Sequence, residues 1–358
     1  MYFRFPTSYE QDLQLFDSPA RRARYLVAAI TFATAPWWAS EYLLSQLNLV
    51  LIYSIVGLGL MLLTGYTGLV SIGHAAFLAV GAYTEALAAA HGWTFPLSLA
   101  AASVLAALAG LVVGLPALRL RGIYLAIATM AFGFVAEEIA ARAESLTGGN
   151  AGRSVAALEI FGWPIDSERR FFVVAAVFAA VLTLAIRNLL HAPSGRALIA
   201  IRDSEISAQS MGISLARYKT LAFTISAAIT GIAGALYAHK LRFLSPDQFT
   251  LLQSIEILMM VVIGGLGSLQ GAFLGAAFFI ALPQVLGEVK DWLPSAIGQA
   301  PGLQPTLFGL AMIAVVLYEP LGIYGRWSKL RIWVENFPMV RAGTFRRQRS
   351  YQRSQRLQ

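Results

Sequence analysis

Residues 65–83 read GYTGLVSIGHAAFLAVGAY and place polar side chains and glycines inside an otherwise apolar run. Ser71 and His74 lie three positions apart and share one face if the run is helical, so they could act as a nucleophile and its base. Glycines that interrupt a membrane helix are typical of transport paths, but small residues at this spacing also let helices pack closely. The segment is therefore compatible with three roles, which are nucleophilic chemistry, a path for a solute, and helix packing. Its four glycines are Gly65, Gly68, Gly73 and Gly81.

A second segment of the same kind, GGLGSLQGAFLGA, occupies residues 264–276. Both segments combine close glycines, small hydroxyls and a short apolar continuation. Paired glycine-interrupted segments of this type suggest two related halves that build one transport site from discontinuous helices. Ordinary helix packing stays open as the alternative, and a lone membrane histidine such as His74 is most often a hydrogen-bond partner between helices.

The chain lacks the further groups that nucleophilic or metal-dependent catalysis would need. No second base or orienting carboxylate accompanies Ser71 and His74, the pattern HExxH is absent and the four histidines are scattered. The absence of cysteine excludes disulfides and thiolate metal sites. None of the four lysines follows a glycine, so the chain has no P-loop of the form G-x-x-x-x-G-K-[ST]. We therefore expect no enzyme, no metal and no cofactor in this chain.

The elements that position these residues are membrane helices. The chain has 358 residues, of which 57% are hydrophobic and 13% are charged, and its apolar runs reach the roughly 20 residues that a membrane helix needs. This composition predicts an all-α polytopic membrane protein with about ten transmembrane helices. The ten predicted spans are 25–40, 43–64, 67–90, 95–117, 122–141, 171–189, 219–238, 250–266, 270–287 and 305–319.

Charge predicts the orientation of these spans. The formal net charge of +8 comes mostly from the tails and from loops beside apolar runs, which is the positive-inside pattern and not a nucleic-acid site. Both termini are therefore expected in the cytoplasm: a segment at 1–24 without the apolar core of a cleaved signal peptide, and a basic tail at 326–358 attracted to membrane lipid. Lys240 and Arg242 do not fit this pattern, since they would lie outside. Four glutamates, Glu85, Glu137, Glu138 and Glu256, lie near predicted span ends, where carboxylates can reach water.

Two loops of the apolar region 25–325 are too long to be simple connections. Residues 142–170 are predicted outside and contain the turn-forming cluster LTGGNAGRSV. Residues 190–218 are predicted inside, and their core, 195–211, is amphipathic at helical spacing. Pro193 precedes this core as a start signal and Gly212 follows as a stop. We expect a short helix under the membrane rather than a further span.

Six collinear segments, over about residues 45–325, resemble the permeases of branched-chain amino acid ABC importers, specifically their LivM type. The segments are GYTGLVSIGHAAFLAVGAYT, RGIYLAIATMAF, LTGGNAGRSV, GRALIAIRDSEISAQSMGISLARYKTLAFTISAAITGIAGALYA, VIGGLGSLQGAFLGAAF and LFGLAMIAVVLYEPLGIYG. Together they are far more specific than any one motif, and they favour the solute path over packing alone.

The resemblance implies a permease subunit of a binding-protein-dependent importer for branched-chain or other small amino acids in a bacterial inner membrane. The implied partners are a LivH-type permease, two ABC ATPases that use the ATP, and a periplasmic solute-binding protein. Residues 196–212 would be the coupling helix on the ATPase, with Glu205 one place ahead of the glutamate of the motif E-A-A-x-x-x-G. The implied coupling residues are Arg202, Asp203, Glu205, Ala208 and Gly212.

On this interpretation the two glycine segments form facing walls of the path, with freed N–H groups and small polar side chains along the route. The alternative is an ion-coupled secondary transporter of a small solute, which would need ionisable groups near the middle of the membrane. The expected path residues are Gly65, Gly68, Ser71, Gly73, His74, Gly264, Gly265, Gly267 and Ser268.

Overall fold

The computed structural model describes residues 34–120, 122–160, 162–291, 302–319 and 321–336. The predicted segment 1–24, most of the span predicted at 25–40 and most of the basic tail lie outside the described residues. The described part is mostly helical, as the apolar composition predicts. The helices that we label are α1 Glu41–Leu60, α2 His74–Ala90, α3 Phe95–Ala117, α4 Ile123–Arg142, α5 Glu144–Thr147, α6 Glu168–His191, α7 Pro193–Asp203, α8 Glu205–Ser210, α9 Leu215–Leu241, α10 Leu251–Gly264, α11 Leu269–Asp291, α12 Leu303–Tyr318 and α13 Gly322–Asn336.

A π-helix, Met61–Tyr66, continues α1, and two 3₁₀ turns cover Gly149–Ala151 and Pro246–Phe249. The loop between α4 and α6 is not purely irregular, since it holds strands of two small antiparallel sheets. In one sheet Arg153 lies opposite Leu244, and the other is a hairpin. The strands have only two residues each, so the mostly helical structure agrees with the all-α prediction. The strands are β1 Arg153–Ser154, β2 Glu159–Ile160, β3 Trp163–Pro164 and β4 Phe243–Leu244.

Seven helices of the described residues are long and apolar enough to cross a membrane, and an eighth span results if α12 and the first part of α13, bent by 51°, are taken together. The chain is thus a multi-pass membrane protein, but the predicted count of ten is not confirmed. The seven coincide with predicted spans. Of the other three, 305–319 falls on α12, 67–90 on α2 and 25–40 mostly outside the described residues.

Helix α2 has only 17 residues, fewer than the about 20 that a span needs. Residues 68–73 precede it and are non-helical. A similar interruption, at residues 265–268, separates α10 from α11. The chain therefore enters both α2 and α11 through short non-helical segments, which contain Gly68 and Gly73 of the first motif and Gly265 and Gly267 of the second.

Helices α1 and α9 form the centre of the bundle. In the span that combines α1 with the π-helix, 83% of the apolar window is buried, against 17% in α6. Helix α9 packs against α1, α2 and α3, and α6 and α11 cover the other sides of α1. The outward faces of α3, α4 and α6 carry large exposed apolar side chains, as expected where a helix contacts lipid or another subunit.

Glycines set the distance between α9 and α2. A Cβ at Gly81 of α2 would overlap the backbone of Gly231 in α9, and a Cβ at Gly234 of α9 would overlap the backbone of α2 at Leu78. Small residues allow this direct backbone contact, which supplies packing where the hydrophobic effect gives little drive between helices in lipid. At Gly81, therefore, the structure shows helix packing.

We predict that Gly81→Ala lowers the thermal unfolding midpoint of the purified protein in detergent, because overpacking a close contact costs about 1–3 kcal/mol. Gly133→Ala is the matched control, since its Cβ would meet its nearest neighbour, the Cα of Gly73, at an ordinary 3.6 Å. Alanine also favours a helix interior over glycine by about 1 kcal/mol, so Gly133→Ala should keep or raise the midpoint. Equal midpoints for the two variants would contradict this packing.

Candidate functional site

The interruption after the π-helix satisfies most of its own polar groups. The Thr67 hydroxyl donates to the carbonyl of Leu62 at 2.9 Å, and the Thr64 hydroxyl donates to the carbonyl of Leu69 at 3.1 Å. The backbone N–H of Leu69 donates to the carbonyl of Leu63 at 3.1 Å. Non-helical backbone at membrane depth is stable only where such partners exist. Gly68 adopts a φ of +75°, which favours glycine at this turn.

The N–H groups that are freed at the start of α2 also have partners. The Ile72 N–H donates to the hydroxyl of Thr129 in α4 at 3.0 Å, and the Ala75 N–H donates to the hydroxyl of Ser254 in α10 at 3.1 Å. Gly73 lies directly against the backbone of α4, because a Cβ there would overlap the Thr129 carbonyl oxygen. These groups connect α2 to two neighbouring helices.

His74 bridges three elements in the interior. Its Nδ1 lies 3.0 Å from the Ser71 hydroxyl and its Nε2 lies 2.8 Å from the hydroxyl of Ser226 in α9. Ser226 donates its single hydrogen to the carbonyl of Gly59 in α1 at 2.7 Å, so it must accept from Nε2, which leaves Nδ1 to accept from Ser71. All three side chains are fully buried. This geometry matches the alternative of a hydrogen-bonded histidine between helices.

The same geometry leaves Ser71 without the environment of a nucleophile. Its histidine partner uses the other ring nitrogen for Ser226, so no carboxylate orients the ring. The pair is also inaccessible, because both side chains have no exposed surface. A contact of Ser71 or His74 with a solute stays a prediction of the sequence.

The second glycine segment also consists of close contacts and a cap. A Cβ at Gly264 would overlap the backbone of Gly271 in α11, and the Ser268 hydroxyl accepts the Gly271 N–H at 3.1 Å at the start of that helix. Gly265 adopts a φ of +114°, and a Cβ there would lie 2.9 Å from the carbonyl oxygen of Leu321, just before α13. The segment thus joins α10, α11 and α13 by backbone packing.

The two glycine segments meet each other and Arg202. A Cβ at Gly65 would lie 2.7 Å from the nitrogen of Gly267, so the two backbones touch. Arg202 of α7 donates from Nη1 to the Gly65 carbonyl at 3.1 Å, and its Cγ would lie 3.1 Å from a Cβ at Gly68. We call Arg202, Gly65, Gly68 and Gly267 the Arg202 cluster. The two glycine segments, which the sequence predicts as facing walls of a solute path, are in direct contact here.

The predicted coupling helix is two helices. It breaks at Ser204, whose backbone is extended and whose hydroxyl caps α8 by accepting the Ser207 N–H at 3.2 Å. Leu198 and Ile201 of α7 are buried against the bundle, whereas Ile206 and Met211 are 75% and 84% exposed. The single apolar face expected from helical spacing is therefore wrong, because the break turns its two ends in different directions.

The charged residues of this segment contact their own chain. Glu205 forms an ion pair with Lys219 of α9 at 2.6 Å, and Lys219 is only 1% exposed. Asp203 pairs with Arg202 at 3.0 Å. Ala208 is buried, and Gly212 ends the segment with a φ of +82°. Sequence reasoning missed Lys219, although a lysine beside an apolar run is a signal for such a pair.

The opposite end of the bundle holds two pairs of ionisable side chains, one buried and one half-buried. Glu85 is 1% exposed, which corrects the expectation that it reaches water; its Oε1 accepts from the Ser98 hydroxyl at 2.7 Å and lies 2.9 Å from Nε2 of His239. Lys240, which did not fit the charge pattern, lies 2.6 Å from both carboxylate oxygens of Glu168. Removing one partner of a buried pair is costly, because the other polar group is left without its contact. Among the described residues no group of three or more His, Cys, Asp or Glu side chains could hold a metal ion.

Comparisons with known proteins agree with this architecture. Residues 42–316 match the family described as branched-chain amino acid transport system / permease component. The high-affinity branched-chain amino acid transport system permease protein LivM of Escherichia coli (strain K12) is 35% identical over 332 residues, which cover 86% of this chain and 76% of that protein. No solved structure matches the chain.

Two further relatives carry the same type of description. LivM of Salmonella typhimurium (strain LT2) is 34% identical over 332 residues, again 86% of this chain and 76% of that protein. The probable branched-chain amino acid transport permease protein LivM of Methanocaldococcus jannaschii is 29% identical over 233 residues, which cover 62% of this chain and 67% of that protein.

We predict that His74→Ala destabilises the protein by about 1–3 kcal/mol, because it leaves the hydroxyls of Ser71 and Ser226 buried with one partner fewer. The measurement is the thermal unfolding midpoint in detergent. Thr84→Ala on the same helix is the control, since Thr84 donates only to the carbonyl of Val80, one turn before it. If the two variants had the same midpoint, His74 would have no role in helix packing.

Proposed function

Because the chain belongs to the family of permease components of branched-chain amino acid transport systems, we propose that it is the permease subunit of a binding-protein-dependent ABC importer in a bacterial inner membrane. It forms part of the translocation path for branched-chain or other small amino acids. The observation that carries the proposal is the match over residues 42–316, which includes both glycine segments and the α7–α8 segment.

The energy for transport comes from other subunits. The chain has no P-loop for ATP, so two ABC ATPases hydrolyse it on the cytoplasmic side. A LivH-type permease completes the membrane unit, and a periplasmic solute-binding protein delivers the solute. No cofactor of this chain takes part. The exposed apolar faces of the outer helices support a second membrane subunit or lipid as neighbours.

The ATPase docks on the α7–α8 segment through the exposed side chains of Ile206 and Met211. Exposed apolar side chains that a water-soluble partner covers are typical of a docking surface. Arg202 and Glu205, which the sequence suggested as docking charges, contribute from the other side, because each contacts the membrane helices.

The two interrupted segments border the solute path. Their close contact at Gly65 and Gly267 supports this proposal, since a path between broken helices needs both breaks at the same depth. Ser71, Gly73 and His74 act mainly by holding α2 in place. Gly264, Gly265 and Ser268 do the same for α11.

The decisive experiment compares energy sources in proteoliposomes that contain the purified chain with its copurifying subunits and its binding protein. We expect uptake of a branched-chain amino acid only when ATP is present on the ATPase side, and recovery of a P-loop ATPase and a second permease with the tagged chain. Uptake driven by a proton or sodium gradient without ATP would replace this proposal with the ion-coupled carrier.

Docking can be tested with introduced cysteines, because the chain has none of its own. We predict that a thiol reagent labels Met211→Cys readily in the permease alone and slowly in the complex with the ATPase. Ala208→Cys is the matched control in the same segment, since Ala208 is 3% exposed and should react slowly in both states. Equal labelling of Met211→Cys with and without the ATPase would exclude docking at this surface.

The same labelling tests the orientation in intact cells. Trp163 lies in the loop between α4 and α6 and is 76% exposed, so Trp163→Cys should react with a membrane-impermeant thiol reagent from outside. Met211→Cys should react only after the membrane is opened. The reverse pattern would show that the predicted cytoplasmic and external loops are exchanged.

A further inference from the structure

Arg202 contacts the bundle with its guanidinium, although it belongs to the segment under the membrane helices and 38% of its side chain is exposed. Its Nη1 donates to the carbonyl of Gly65 at 3.1 Å. Gly65 lies in the last turn of the π-helix, where carbonyls have no helical N–H partner because the helix stops. The arginine therefore supplies a donor to a backbone group that the interruption has freed.

Arg202 also lies against the second glycine segment. A Cβ at Gly267 would be 3.4 Å from its Nη1, and a Cβ at Gly68 would be 3.1 Å from its Cγ. A side chain at Gly68 would press on the arginine, whereas 3.4 Å at Gly267 is an ordinary contact, so the arginine lies close against both segments. The π-helix and α10 both end here, and the negative ends of two helix dipoles favour a cation at this place.

A second polar contact connects the same segment to a different helix. Lys219, near the start of α9, forms its ion pair with Glu205 of α8 at 2.6 Å and is buried. Removing one partner of a buried ion pair is costly, because the other charge is left uncompensated. Helix α8 is therefore held on α9, while α7 is held on the two interrupted segments.

We propose that Arg202 is a positioning residue for transport, which passes movements of the α7–α8 segment to residues 65–68 and 265–267. The role is distinct from docking, because the guanidinium contacts the permease and not the exposed surface at Ile206 and Met211. The inference rests on the function proposed above.

The test measures solute transported per ATP hydrolysed by the complete complex in proteoliposomes. For Arg202→Met we expect this ratio to fall roughly three- to thirty-fold, the range for residues along a coupling route. Arg202→Lys should give an intermediate ratio, because lysine keeps the charge but cannot contact Gly65 and Asp203 with one planar group. Arg196→Met is the matched control: Arg196 lies on the same helix, is exposed and donates to the nearby carbonyl of His191.

A wild-type ratio in Arg202→Met, or an equal fall in Arg196→Met, would overturn the inference. Loss of the ATPase from both Arg202 variants would also overturn it, because Arg202 would then act in docking. If only the methionine variant fails to assemble, the lysine variant decides: an intermediate ratio supports the inference and a wild-type ratio contradicts it. The wild-type complex separates this result from the proposed function, since a wild-type complex without ATP-dependent uptake would refute the function itself.

Discussion

The arrangement of this bundle depends on one requirement: a helix that stops among apolar neighbours must find partners for its free carbonyl and N–H groups. Helix α1 and the π-helix that continues it stop at Tyr66, and α2 starts at His74. The partners come from Thr129 of α4, Ser254 of α10 and Arg202 of α7. A single interruption therefore fixes the positions of three other elements through hydrogen bonds to residues 65–75.

The short length of α2 follows from the same interruption and determines how it is held. A helix of 17 residues has fewer lateral contacts than a full span, and each contact must therefore be close. Gly81 provides direct backbone contact with α9, while His74 joins α1 and α9 through Ser226. In lipid, where apolar side chains gain little by leaving their surroundings, such packing and hydrogen bonds are the main attractions between helices.

Sequence reasoning predicted the parts that hydropathy and residue type determine. Seven of the ten predicted spans coincide with long apolar helices, and each glycine segment contains a non-helical turn. It could not predict which way single charged side chains point, because partners distant in the chain decide this. Arg202 contacts Gly65, 137 positions away, and Glu85 contacts His239, 154 positions away. Nor could an averaged apolar pattern reveal the break at Ser204, which depends on a local cap.

The α7–α8 segment separates two tasks that one amphipathic helix would combine. Its polar contacts, through Arg202 and Glu205, are directional and are made with the membrane helices, so they fix how the segment lies on the bundle. Its exposed side chains, Ile206 and Met211, are apolar, and burying each of them in a partner can supply roughly 1.5–3 kcal/mol with little demand on angle. On the proposed function, the ATPase changes shape in each ATP cycle. It stays bound to this surface because apolar contacts depend little on the angle between the partners. The directional polar contacts on the other side of the segment transmit the displacement of the segment to the two interrupted helices.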